Sequence, residues 1–162
     1  MKALKNLFPF FLLLLLFSCN KTIEVDVNLE REFDNSMFRG LTPDISYKEM
    51  CERVGKPNDY IDEKHYNEDD DHNPVYYFKE GKVMAYWSGN KRDPIGNLVY
   101  TPYLNTEIDI HDILKVFWFN HNNIKANTKK IKLIDTFNYN PYVYIITLDN
   151  FKVKKIWMGT KK

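Results

Sequence analysis

One run of strict apolar–polar alternation and a series of runs rich in β-formers point this chain to a fold dominated by sheet. From Thr22 the run TIEVDVNLE sets Ile23, Val25, Val27 and Leu29 against Glu24, Asp26, Asn28 and Glu30. Successive side chains leave opposite faces of a pleated backbone, so this spacing makes a half-buried strand. Read instead as a charge-rich tether, the same stretch would stay solvated. Runs rich in β-branched and aromatic residues follow at Val75 to Phe78, Val83 to Trp87, LVYTPY, KIKLIDTF, YVYIITL and FKVKKIWMG. Aromatics make up 15% of the residues, a surplus that suits pleated, half-buried surfaces. Glu80 with Gly81 is expected to turn the first pair into a hairpin with Phe78 facing Val83, and Asp149 with Asn150 to turn the last pair.

The stretch SYKEMCERVGKP, residues 46 to 57, carries the clearest helix signal. Ser46 and Glu49 form a capping box, and Tyr47, Met50, Cys51 and Val54 share one face at helical spacing. Gly55 stands where a left-handed C-cap belongs, and Pro57 prevents continuation. In EIDIHDILKVFWF both periods overlap, and a second helix is expected from about His111. The expected class is α+β, mainly antiparallel sheet with one or two helices packed on one face. Residues 38–162 are expected to form a single domain around a helix-plus-hairpin core at 46–87, with 19–37 as tether or first strand.

The first residues carry an address. Lys2 and Lys5 precede a run from Leu7 to Phe17 that is almost purely Leu and Phe. That run falls short of the about 20 apolar residues a membrane span needs, so residues 1–18 read as a signal peptide. Leu16 and Ser18 before Cys19 match a bacterial lipobox, in which small residues admit the peptidase and the thiol accepts a diacylglycerol thioether. Buried acyl methylenes contribute about 0.8 kcal/mol each, so two or more chains give stable anchoring. Asn20 replaces the Asp of inner-membrane retention, and no acidic export run follows, which points to the periplasmic face of the outer membrane. With Cys19 lipidated, Cys51 has no partner for an internal disulfide and is expected to be a small core residue. A net charge of +1 gives no sign of a nucleic-acid partner.

The capped helix followed by a hairpin resembles the small outer-membrane lipoproteins of the BamE type, also called SmpA/OmlA. Their pattern of a Ser or Thr cap, aliphatic residues four and eight further on, then Gly, any residue and Pro corresponds to Ser46, Met50, Val54, Gly55 and Pro57. Asp44 stands where their motif opens with Gly. Their aromatic strand, turn and second strand correspond to Tyr76 through Trp87. The resemblance implies a β-lactamase-inhibitor-protein-like fold and a binding or scaffold role toward another envelope protein.

No local motif supports catalysis: no Ser sits in a GxSxG turn, no Cys in a nucleophile motif, and no Gly-rich loop follows a strand. His111 and His121 stand isolated in sequence. The cluster HYNEDDDHN, with His65, Glu68, Asp69, Asp70, Asp71 and His72, lacks the Gly and distal Glu of a calcium loop and reads as a solvated connection. Neither a metal nor a cofactor is expected. The candidate recognition edge is the loop after the second hairpin strand, where Tyr86 and Trp87 offer stacking surface and Asn90, Lys91 and Arg92 offer polar contacts. Lysines 152, 154, 155, 161 and 162 fit either anionic headgroups or the protected rim of an edge strand. A ring-lined concavity built from Tyr86, Trp87, Tyr100 and Tyr103 would instead suit a small ligand or glycan. The anchor is checked by mass: the N-terminal peptide of the native mature protein should begin at Cys19 and be heavier than its amino acids by a diacylglycerol, and an unmodified peptide would refute it.

Overall fold

The computed structural model describes residues 23–29, 33–62, 72–86, 94–117, 120–134 and 141–161. Among these the strands are β1 (Ile23–Asn28), β2 (Asp59–Asp62), β3 (His72–Tyr77), β4 (Gly81–Tyr86), β5 (Asn97–Pro102), β6 (Thr128–Ile134), β7 (Tyr142–Asp149) and β8 (Lys152–Thr160). Helices α1 (Tyr47–Val54) and α2 (Ile110–Leu114) and two 3₁₀ turns, Ser36–Phe38 and His121–Asn123, complete the elements. All eight strands join one sheet in the order β1-β6-β7-β8-β5-β4-β3-β2. Every pairing is antiparallel except β1 with β6. The class is α+β, with a mainly antiparallel sheet and two helices.

Two antiparallel meanders, β2 to β5 and β6 to β8, meet where β5 pairs β8. The registers place Val25, Ile131, Ile146, Ile156, Tyr100, Val83 and Tyr76 side by side on seven strands. All of these except half-buried Val25 are buried, and they share one apolar core with Phe33, Phe38, Met50, Ile110 and Leu114. The opposite face carries the row Asp26, Lys132, Ile145, Trp157, Val99, Met84, Val75 and Asp59.

Local chemistry explains the element ends. The Ser46 hydroxyl accepts from the Glu49 N–H, and the Glu49 carboxylate accepts from the Ser46 N–H at 2.8 Å, closing the capping box. The Ser46 N–H and the Ser46 hydroxyl, which donates to the same oxygen, hold the Glu49 carboxyl below its ordinary value. Gly55 takes φ 86°, ψ −172° instead of the expected left-handed cap, a region essentially restricted to glycine. Met50 is the fully buried residue of the predicted helix face, while Cys51 is only half-buried, with its Sγ 4.0 Å from the Tyr76 hydroxyl.

Both hairpin turns shift by one residue from expectation. Phe78 N–H donates to the Gly81 carbonyl, so Lys79 and Glu80 form the turn and Tyr76, not Phe78, faces Val83. Gly81 serves close approach instead: a Cβ there would lie 2.6 Å from the Thr101 carbonyl and 2.8 Å from the Tyr100 ring. Asp149 faces Lys152, leaving Asn150 at φ 46° and Phe151 at φ 65° as the central pair, as a primed hairpin turn requires. A bulky residue is costly there, and the Phe151 carbonyl is held by the Ile110 N–H at the start of α2.

On the second face the indole of Trp157 lies over Gly159, where an added Cβ would collide with the ring and come within 2.8 Å of Asn97 Oδ1. Gly159→Ala should therefore cost about 1–3 kcal/mol through overpacking. Ser46→Ala should cost about 1 kcal/mol through loss of the cap. Urea denaturation reads both, and a Gly159→Ala midpoint equal to wild type would contradict the packing.

Candidate binding groove

Two irregular segments distant in sequence, 33–39 and 106–117, form the walls of a groove. The first wall is fixed by aromatic anchors: the Phe33 ring lies 4.3 Å from that of Tyr144, and Phe38 meets Tyr100 edge-on at 6.2 Å. The 3₁₀ turn between them closes on Arg39, which adopts the left-handed conformation with its N–H donating to the Ser36 carbonyl. That conformation sends the guanidinium over the Phe78 ring, 5.3 Å from its centroid, and into an ion pair with Glu80. Tyr100 donates from its hydroxyl to the Glu80 carbonyl at 3.3 Å. Burial and the nearby Glu80 charge both push the Tyr100 hydroxyl above its ordinary value.

The second wall is tied to the start of β8. Val153 N–H donates to the Ile108 carbonyl and Ile110 N–H to the Phe151 carbonyl. Asp109 caps α2 by accepting from the His111 N–H at 3.0 Å, and its Oδ1 lies 2.8 Å from His111 Nδ1. Burial raises the Asp109 carboxyl, but the His111 bonds and the Lys152 charge outweigh it and leave the group below its ordinary value. Lys152 lies 3.2 Å from Glu107 and 3.7 Å from Asp109, and its ammonium is correspondingly raised.

Between these walls a cavity of about 400 Å³ is lined by Met37, Arg39, Phe78, Tyr100 and Ile108. A neighbouring cavity of about 310 Å³ is lined by Phe33, Met37, Asp112, Ile113, Val116 and Phe117. Met37 lines both, so the two adjoin at that side chain. The first carries the Arg39–Glu80 pair and the second carries Asp34 and the Asp112–Lys115 pair, each beside apolar side chains. Such linings accept a mostly apolar occupant with some polar groups.

Of the residues expected to form a recognition edge, Trp87, Asn90, Lys91 and Arg92 lie outside the described residues, as does Cys19. Tyr86 ends β4 half-buried, one position from Ala85 and therefore on the face opposite Tyr100. The rings of Tyr86 and Tyr100 thus do not share a concavity, and Tyr100 instead contributes to the groove from the core face. The fold brings His111 and His121 together, with ring centroids 5.7 Å apart. Among the described residues no group of His, Cys, Asp and Glu is arranged to hold a metal ion. Residues 63–71, most of the acidic cluster, lie outside the described set, and His72 opens β3. Arg39 and Met37 carry no signal in the sequence beyond the Arg39-Gly40 turn, and Phe78 enters there only as a hairpin residue, not as part of a site.

The chain matches no protein-family model, no curated protein and no solved structure.

Asp109→Asn keeps an oxygen to accept from the His111 N–H, since Asn caps about as well as Asp, and removes only the charge facing Lys152, so it should destabilise the fold by under about 1 kcal/mol near neutral pH. Because the folded-state carboxyl is depressed, its contribution is fully present above the unfolded value of about 3.9 and fades as pH falls through the folded value. The gap between wild type and Asp109→Asn in urea midpoint should therefore close on acidification below about pH 4, and a gap that persists would contradict the assignment.

Proposed function

We propose that this chain is a lipid-anchored cell-envelope protein, held at the periplasmic face of the outer membrane, that docks another envelope protein and performs no chemistry of its own. The groove between residues 33–39 and 106–117 is the docking site in this reading, and the observation that carries the proposal is the pair of largely apolar cavities that adjoin at Met37. A peptide segment with apolar side chains suits these two cavities, and the Arg39–Glu80 and Asp112–Lys115 pairs beside them offer its polar groups both donors and acceptors. Support for the anchor comes from the lipobox ending at Cys19. Kinship with the BamE-type lipoproteins belongs to the same proposal and draws support from the capped α1 followed by the β3–β4 hairpin.

The reading also places both helices on the apolar face of the sheet. Its support is that Tyr76 of that face donates to the Gly55 carbonyl at the end of α1, while Ile110 and Leu114 of α2 share its core. A small-ligand role is the second reading, favoured by the 400 Å³ cavity with Phe78 and Tyr100 in its lining, a size typical of small-molecule sites.

A photoreactive amino acid at Met37 in the full-length chain, expressed in cells, distinguishes these. Docking predicts a defined envelope-protein adduct that weakens when Arg39→Ala or Val116→Asp is added. The ligand reading predicts small-molecule adducts only. Equal adducts from Met37 and from a control at Tyr60 would refute the groove.

A further inference from the structure

The sheet has two unlike ends, and the end where the chain enters is basic. Glu24, the second residue of β1, pairs with Lys130, Lys130 with Thr147, and Thr147 with Lys155. On the same face of the neighbouring strands, one step beyond the Tyr100–Ile156 pair, Thr101 pairs with Lys82 and Lys82 with Tyr77. Lysines thus alternate with threonines across five central strands, with lysines on β6, β8 and β4 about 10 Å apart at the usual strand spacing.

The acids at this end are engaged locally. Glu24 pairs with Lys130, Asp149 with Lys129, Glu107 with Lys152 and Glu80 with Arg39. Lys79, Lys82, Lys125 and Lys155 make no ion pair among the described residues. The bulge between Thr147 and Leu148 leaves Lys154 exposed beside Lys155. One apolar group stands out among these charges, Leu104, 95% exposed in the turn after β5, while Tyr77, 45% exposed at the end of β3, donates its hydroxyl to Asp59. Uncompensated lysines and an exposed leucine on one rim are the complement of an anionic bilayer surface.

The length of the connection to Cys19 selects this occupant. Four peptide steps separate Cys19 from Ile23, so the start of β1 lies within about 14 Å of the lipidated sulfur. We infer that this end of the sheet docks on anionic lipid headgroups, with Lys82, Lys154 and Lys155 toward phosphate and Leu104 in the interface. The inference rests on the anchored reading proposed above. β8 lies between β7 and β5, so its lysines do not guard an open sheet edge. Lys161, past the other end of β8, lies away from the row.

The test uses the full-length protein reconstituted in phosphatidylglycerol-rich vesicles and in phosphatidylcholine vesicles, acetylated with a water-soluble amine reagent and read lysine by lysine. Docking predicts that Lys82, Lys154 and Lys155 react about fivefold or more slowly on the anionic vesicles. Lys161 should react equally on both, and high salt should abolish the difference. The pair Lys82→Gln and Lys155→Gln should lower the remaining protection of Lys154, while Lys161→Gln leaves it unchanged. Uniform labelling of both ends, or protection insensitive to lipid charge, overturns the inference. The mass of the Cys19 peptide is read separately. An acylated Cys19 with uniform labelling refutes the docking alone, and a bare Cys19 with protected lysines refutes the anchor alone.

Discussion

The antiparallel seam between β5 and β8 is the pairing on which the rest of the molecule depends. It joins Leu98 to Met158 and Tyr100 to Ile156, residues far apart in sequence, and turns two local meanders into one surface. Through it the row from Val25 to Tyr76 runs unbroken across seven strands, wide enough to be covered by both wall segments of the groove. A shift of one residue at the seam would carry Leu98 and Tyr100 to the face of Val99 and Trp157 and split the core. The two strand glycines serve opposite faces of the sheet: Gly81 of β4 gives room to the Tyr100 ring on the core face, and Gly159 to the Trp157 indole on the other.

What was legible in the sequence is what depends on neighbours in the chain. Ser46 and Glu49 are three residues apart, so their reciprocal bonds were written into local spacing. Apolar alternation likewise marked β1 and the three C-terminal strands. The turns were less legible because a Gly suggests one mechanism when it serves another. Gly81 was read as a turn former, yet it opens β4 under Tyr100, and the positive φ of the last turn falls on Phe151. That choice is set by the docking of α2 on the Phe151 carbonyl, a contact no local pattern encodes. The parallel partner of β1 was equally hidden, since β6 lies about a hundred residues further on.

The groove could not have been read from sequence because its walls meet only through tertiary contacts, whatever periodicity segment 106–117 carries. Segment 33–39 is held by Phe33 and Phe38 against Tyr144 and Tyr100, and segment 106–117 by bonds to the first residues of β8. Arg39 becomes interesting only when the fold brings Phe78 and Glu80 to it from the β3–β4 turn. The expected recognition edge followed sequence proximity, grouping Tyr86 with its neighbours, whereas the pleat separates Tyr86 from Tyr100 by placing them on opposite faces.

The two proposed surfaces constrain one another through Glu80. Its carboxylate closes the groove at Arg39, and its carbonyl accepts from Tyr103 N–H on the segment that presents Leu104 at the basic rim. A domain resting on that rim would bring the Arg39–Glu80 pair toward the headgroups, because Glu80 bonds the segment that carries Leu104. Headgroup phosphates would then compete with Glu80 for Arg39, because both are anions within reach of one exposed guanidinium. A partner segment seated beside Arg39 would therefore meet a guanidinium whose pairing depends on how the domain rests on the membrane.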